Sequence, residues 1–165
     1  MNEKGFTFVE IAVALGILGI ISAISIPSYF SWLPRHRLQT SVRQIYDDMN
    51  MAKSRAVRTN SVAVAIFDIN TDTYTIFLDT SPENWAYDGV ETVISTGNLQ
   101  NGVDIIETTF TSNTYGFNNR GMTQTPAIPG DVHLTNHSGL FLGVRVNAAG
   151  GLSIISSTDG GTTWS

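Results

Sequence analysis

The chain has 165 residues, 42% of them hydrophobic, and a net charge of −5, enough for one domain with an ordinary packed core. It contains no cysteine, which excludes a disulfide framework and a thiolate site. Residues 1–59 carry seven basic and four acidic side chains, net +3, whereas residues 60–165 carry two and ten, net −8. The acidic second part repels phosphate backbones and argues against nucleic-acid binding there.

The first element is apolar. Phe6 to Pro27 is a run of 22 residues in which Glu10 is the only charge, and as a helix it is roughly 33 Å long, sufficient to cross a bilayer. A carboxylate inside such a span costs about 2.5–3.5 kcal/mol, so Glu10 needs a partner or a route to the headgroups. A secretory signal would have a shorter apolar core and a small-residue cleavage site at its far end; here "SAISIPSYFSWLPRHR" follows. The plain alternative is an uncleaved single-pass anchor. The letters ahead of the core, "KGFTFVE", resemble the prepilin leader of type IV pilins and type II secretion pseudopilins. That resemblance implies a leader over residues 1–5, cleavage by the prepilin peptidase after Gly5, and N-methylation of Phe6. It also implies that Glu10 and Pro27 serve assembly, Glu10 by meeting the Phe6 amine of a neighbouring subunit and Pro27 as a helix-kinking proline. Gly16 and Gly19 lie in the segment that loosens in filaments of that family.

Residues 6–33 are read as the transmembrane helix segment, with Tyr29 and Trp32 suited to the membrane interface, and residues 34–60 as an amphipathic half. Pro34 can bend the chain. Leu38, Val42, Ile45, Met49, Ala52 and Ala56 recur at helical spacing and predict a core-facing stripe. The opposite face is expected to carry Arg43, Gln44, Asp47, Lys53 and Arg55, and Thr59 to Ser61 close the helix. Arg35, His36, Arg37 and Arg43 follow the span while only Lys4 precedes it, so the positive-inside rule alone would keep the C-terminal part in the cytoplasm. The prepilin resemblance implies the opposite, a single-pass protein of the bacterial inner membrane with a periplasmic C-terminal domain.

Over residues 61–165 the period becomes two. "VAVAIFD" and "YTIFLD" flank the turn cluster "INTDT" and predict a hairpin. Further strands are expected at Val90–Thr96, Val103–Phe110, Thr114–Phe117, Val132–Leu134, Leu140–Val146 and Leu152–Ile155, separated by glycine, asparagine, Pro126 and Pro129. A helix followed by antiparallel strands is an α+β arrangement. "YGFNNRGMTQT", "VHLTN" and "GVRVNAAGGLSI" resemble the C-terminal domain of the GspH/FimT family of minor pilins and pseudopilins. The resemblance implies a pilin-like fold, a long N-terminal helix packed on a C-terminal antiparallel β-sheet domain. Some FimT-type members bind DNA through G-R-x-R; the matching place reads Gly150, Gly151, Leu152, Ser153, without either arginine, and Arg120 and Arg145 are expected to pair with carboxylates.

Little other chemistry stands out. Asp68, Asn70 and Asp72 begin like a calcium loop, but Thr73 holds the sixth position, where glycine is needed. His133 and His137 lie four apart on strand and turn rather than on a helix. No catalytic residues, cofactor, metal or small-molecule ligand are expected. The sequence reads as a minor pilin or pseudopilin that works with other pilins or pseudopilins, the prepilin peptidase and the inner membrane. The alternatives are a DNA-binding minor pilin for natural transformation and a tethered domain that never polymerises.

Overall fold

The computed structural model describes residues 5–80, 84–124 and 127–165; Lys4 of the leader and Pro126 lie outside them. Helix α1 runs from Phe8 to Thr59, unbroken through Pro27 and Pro34. Strands β1 (Val62–Asp68), β2 (Thr73–Asp79), β3 (Thr92–Asn98), β4 (Val103–Thr108), β5 (Thr114–Phe117), β6 (Gly130–Asn136), β7 (Phe141–Val146) and β8 (Leu152–Ser157) follow. The chain divides into two compact units, one ending at Leu33 and the other spanning Pro34–Ser165.

In the first unit the side chains of residues 5–32 are exposed, and the helix there is long and apolar enough to cross a membrane. Proline lacks the N–H that would close a helical bond at positions 27 and 34. Near the first of these, the Ser28 hydroxyl donates to the Ile24 carbonyl and that of Ser31 to the Ser28 carbonyl.

The second unit is built around the predicted stripe. Leu38, Val42, Ile45, Met49, Ala52 and Ala56 are all at most 1% exposed, because their spacing puts them on one face of α1. They pack with Ala63, Ala65 and Phe67 of β1, Tyr74 and Ile76 of β2, and Val132, Leu134, Val144 and Val146 of β6 and β7. Each large side chain buried in this way contributes about 1.5–3 kcal/mol. The alternate residues of β1, Val62 and Val64, join Phe77 in a second cluster with Ile66 and Trp85, so β1 is buried on both faces.

The expected antiparallel β domain consists of two four-stranded sheets, ordered β3-β2-β1-β5 and β4-β6-β7-β8. The division arises because β5 returns to pair with β1, Ala63 facing Phe117, after β4 has joined β6. Strand limits also move where pairing decides them. β8 reaches Ser157 because Ser157 faces Phe141 across the ladder, and β6 fills Gly130–Asn136 because β4 and β7 flank it. Beyond Thr108 the chain leaves the β4 ladder, so the strand expected to reach Phe110 stops short.

A polar tie fixes α1 to the first sheet. The Tyr74 hydroxyl donates to Asp48 Oδ2 at 2.6 Å and the Ser95 hydroxyl to the same oxygen at 2.9 Å. The Tyr74 phenol is pushed well above its usual range, first by burial and then by the Asp48 carboxylate. Gly97 makes room for the ring: a Cβ there would lie 2.0 Å from Tyr74 Cζ.

Candidate functional site

At the N-terminus the helix start is built by Thr7 and Glu10. Thr7 precedes the first helical residue, Phe8, and Glu10 is the third residue inside. The Thr7 backbone N–H and the Thr7 hydroxyl both donate to Glu10 Oε2 at 2.8 Å, and the Glu10 N–H lies 3.3 Å from Thr7 Oγ1. This reciprocal arrangement is a capping box, which satisfies donors that the first helical turn cannot. It also holds a negative charge at the amino end of α1, where the helix dipole favours one. Thr7 is not among the residues expected from the sequence, although T-x-x-E in "TFVE" is the signal for it.

Phe6 and Phe8 are each 86% exposed. Gly5 is open, with nothing within 4 Å of where a Cβ would stand. Gly5, Phe6, Thr7 and Glu10 therefore form one accessible strip of sequence, and Pro27 lies separately, well inside α1.

In the second unit the positions matching the G-R-x-R motif are structural. Gly150 has φ +72, and a Cβ there would lie 1.9 Å from the Gly121 carbonyl oxygen; its own carbonyl accepts from Lys53 Nζ at 2.8 Å. Arg145 donates through Nε and Nη2 to the two oxygens of Asp131 at 2.9 and 2.8 Å. The expected pairing of Arg120 does not occur among the described residues. Its N–H is held by Asn118 Oδ1 in the turn closed by the Gly121 N–H on the Asn118 carbonyl, which leaves the side chain exposed.

The acidic turn is an Asx turn. Asp68 Oδ1 accepts from the Asn70 N–H at 2.9 Å, and Asp72 Oδ1 accepts from the Ile105 N–H at 2.8 Å, so the carboxylates serve different backbone donors. The Asp68 carboxyl is held below its usual range by these turn bonds, that from Thr71 first. Among the described residues no three histidine, cysteine or carboxylate side chains converge as a metal site. His133 and His137 part company: His137 sits in an exposed turn with Nδ1 3.3 Å from the Gly102 carbonyl, while His133 is 4% exposed.

His133 forms a second cluster, one that no local sequence pattern announces. Its ring stacks on Trp164, centroids 3.8 Å apart and planes 7° from parallel. Nδ1 and Nε2 lie 3.5 Å from Glu107 and Asp131 oxygens respectively. Trp164 is placed by Asp159, whose carboxylate accepts from the Ser157 and Thr163 hydroxyls and the Thr162 and Thr163 N–H groups. Those bonds, Ser157 and Thr163 foremost, hold the Asp159 carboxyl far below the usual carboxylate range. This cluster braces the sheet: His133 is enclosed between Trp164 and the two carboxylates, of which Glu107 faces solvent.

Comparison with known proteins fits this division of the chain. Residues 1–26 match the prokaryotic N-terminal methylation motif, and residues 41–150 match the family described as type II transport protein GspH. No curated protein matches in sequence. Among solved structures, the minor pseudopilin EpsH of the Vibrio cholerae type 2 secretion system is similar at 12% identity and TM-score 0.56, covering 74% of this chain and 99% of that one. The Pseudomonas aeruginosa type IV minor pilin FimU is similar at 12% identity and TM-score 0.55, covering 73% and 89%. Those likenesses give the pilin-like α+β fold. Since the family match spans most of the second unit and the methylation motif the start of the first, the chain belongs to the GspH family, as a type II pseudopilin, a structural subunit of the inner membrane and pseudopilus.

Proposed function

We propose that the prepilin peptidase cleaves between Gly5 and Phe6, that Phe6 becomes the N-methylated first residue, and that Glu10 then neutralises the Phe6 amine of an adjoining subunit in the pseudopilus. The observation that carries this reading is the Thr7–Glu10 box. It holds the carboxylate at the amino end of α1 with Oε2 fixed by two donors, leaving the carboxylate accessible to an amine. Pairing two charges offsets the desolvation that either suffers alone in an apolar bundle, so the pair sets register between subunits. Pro27, which cannot donate to the helix ladder, supplies local slack for packing. The second unit works in the periplasm, and its partners are other pseudopilins rather than nucleic acid or a small molecule. The acid-rich composition, the locked Arg145 and the buried Gly150 support that choice. Mass spectrometry of protein extracted from membranes with an active prepilin peptidase tests the first step. Phe6 should be the methylated terminus, and an intact Met1 would refute the reading.

A further inference from the structure

Arg35, His36 and Arg37 follow the apolar segment directly, and the positive-inside rule gives them no role in a translocated domain. The second unit places a cleft beside them. Arg35, Leu38 and Gln39 of α1 face Leu140 and Leu142 at the start of β7 across a space of about 290 Å³. Its wall is aliphatic: Leu38 is fully buried, and Leu140 and Leu142 are half-buried against the core. Its rim is cationic. Arg35 is exposed and makes neither an ion pair nor a hydrogen bond among the described residues, while Arg37 is half-buried and donates to the Asn101 carbonyl at 3.0 Å. The turns next to it, 99–102 and 137–139, are joined by His137 and the Gly102 carbonyl and contain no carboxylate, in a stretch whose net charge is −8.

Sequence position decides what reaches this cleft. Tyr29 and Trp32 are exposed aromatics of the type that settles at headgroup level, and Arg35 follows Trp32 by three residues in sequence. A cation at that depth meets lipid phosphate, and an apolar wall beside it meets the upper part of an acyl chain.

We propose that this cleft binds an anionic phospholipid of the membrane that holds the apolar segment, with Arg35 on the phosphate and Leu140 and Leu142 along the first acyl carbons. The basic cluster then anchors the membrane pool of the subunit, a role independent of cleavage at Gly5 and of the Glu10 contact.

The test uses the full chain reconstituted in phosphatidylcholine vesicles with or without phosphatidylglycerol, each lipid carrying a photoactivatable group near the top of one acyl chain. Labelled peptides are mapped by mass spectrometry. Label should fall on residues 34–39 and 140–142, more from phosphatidylglycerol than from phosphatidylcholine. Arg35→Glu should reduce the phosphatidylglycerol label by at least roughly fivefold, the factor expected for one cation near an anionic surface. Arg35→Lys should retain it, and Arg58→Glu, in the last turn of α1, should leave it unchanged. Equal labelling by the two lipids, or indifference to Arg35→Glu, would overturn the proposal. So would displacement by soluble glycerol phosphate, which would make the cleft an anion site without a lipid. Loss of label at high protein density in the vesicle would assign the cleft to a second copy and would overturn it equally.

Discussion

Thr7 and Glu10 hold each other across the first turn of α1, two donors of one meeting a single carboxylate oxygen of the other at 2.8 Å. The contact gives an intramembrane glutamate a local role before any neighbour arrives. It predicts that Glu10→Ala and Glu10→Gln still insert, because removing the charge makes the span more hydrophobic. Alkaline extraction of membranes should retain both variants as fully as wild type.

The Asp48–Tyr74–Ser95 tie should bear measurably on stability. Tyr74→Phe removes a hydrogen bond to a charged group and should cost about 1.5–3 kcal/mol. Gly97→Ala should also destabilise, by about 1–3 kcal/mol, since its methyl would overlap the Tyr74 ring. Urea unfolding of the detergent-solubilised protein checks both; a neutral Gly97→Ala would mean that the ring is free to move.

The Asp159 turn predicts a particular acid response. Its carboxyl is depressed in the folded state, so the stability it lends is complete above the unfolded value and is lost progressively as pH falls toward the lower folded value, while the folded turn itself keeps its carboxylate charged down to that value. Trp164 fluorescence, taken as the difference from Trp164→Phe, should therefore stay unchanged through the range where ordinary aspartates protonate. Asp159→Ala should expose Trp164 and shift its emission to the red at neutral pH, and an unshifted spectrum would show that the turn does not depend on this carboxylate.

DNA binding should be weak. Arg145 is committed to Asp131 and only Arg120 stands exposed in its turn, so duplex affinity at physiological salt should not exceed the non-specific range, Kd about 10⁻⁴–10⁻⁶ M. Tighter binding in a gel shift, lost in Arg120→Ala, would revive the DNA-uptake alternative.

Much of the fold is legible where one local period governs it. The stripe Leu38–Ala56 is buried as its spacing predicts, and "VAVAIFD" and "YTIFLD" form the expected hairpin, Val64 facing Phe77. The separation into two sheets is not legible, because the contact that makes it, Ala63 with Phe117, joins residues far apart in sequence and leaves no local pattern. Nor is the His133 stack, since Trp164 lies beyond the last strand and reaches it only through the Asp159 turn. At the N-terminus the letters "KGFTFVE" carry two signals at once, the leader and the capping box.

The most direct test of the assembly role separates those two signals. Protein in sheared filaments is measured relative to the membrane pool, at equal expression, for wild type, Thr7→Ala and Glu10→Ala. If Glu10 meets a neighbour's Phe6 amine, Glu10→Ala leaves that amine unpaired, a loss of about 3–5 kcal/mol for a buried pair, and incorporation should collapse while cleavage continues. Thr7→Ala keeps the carboxylate and forfeits only about 1 kcal/mol of capping, so its ratio should stay near wild type. Equal loss in the two variants, or an unchanged ratio in Glu10→Ala, would contradict the account.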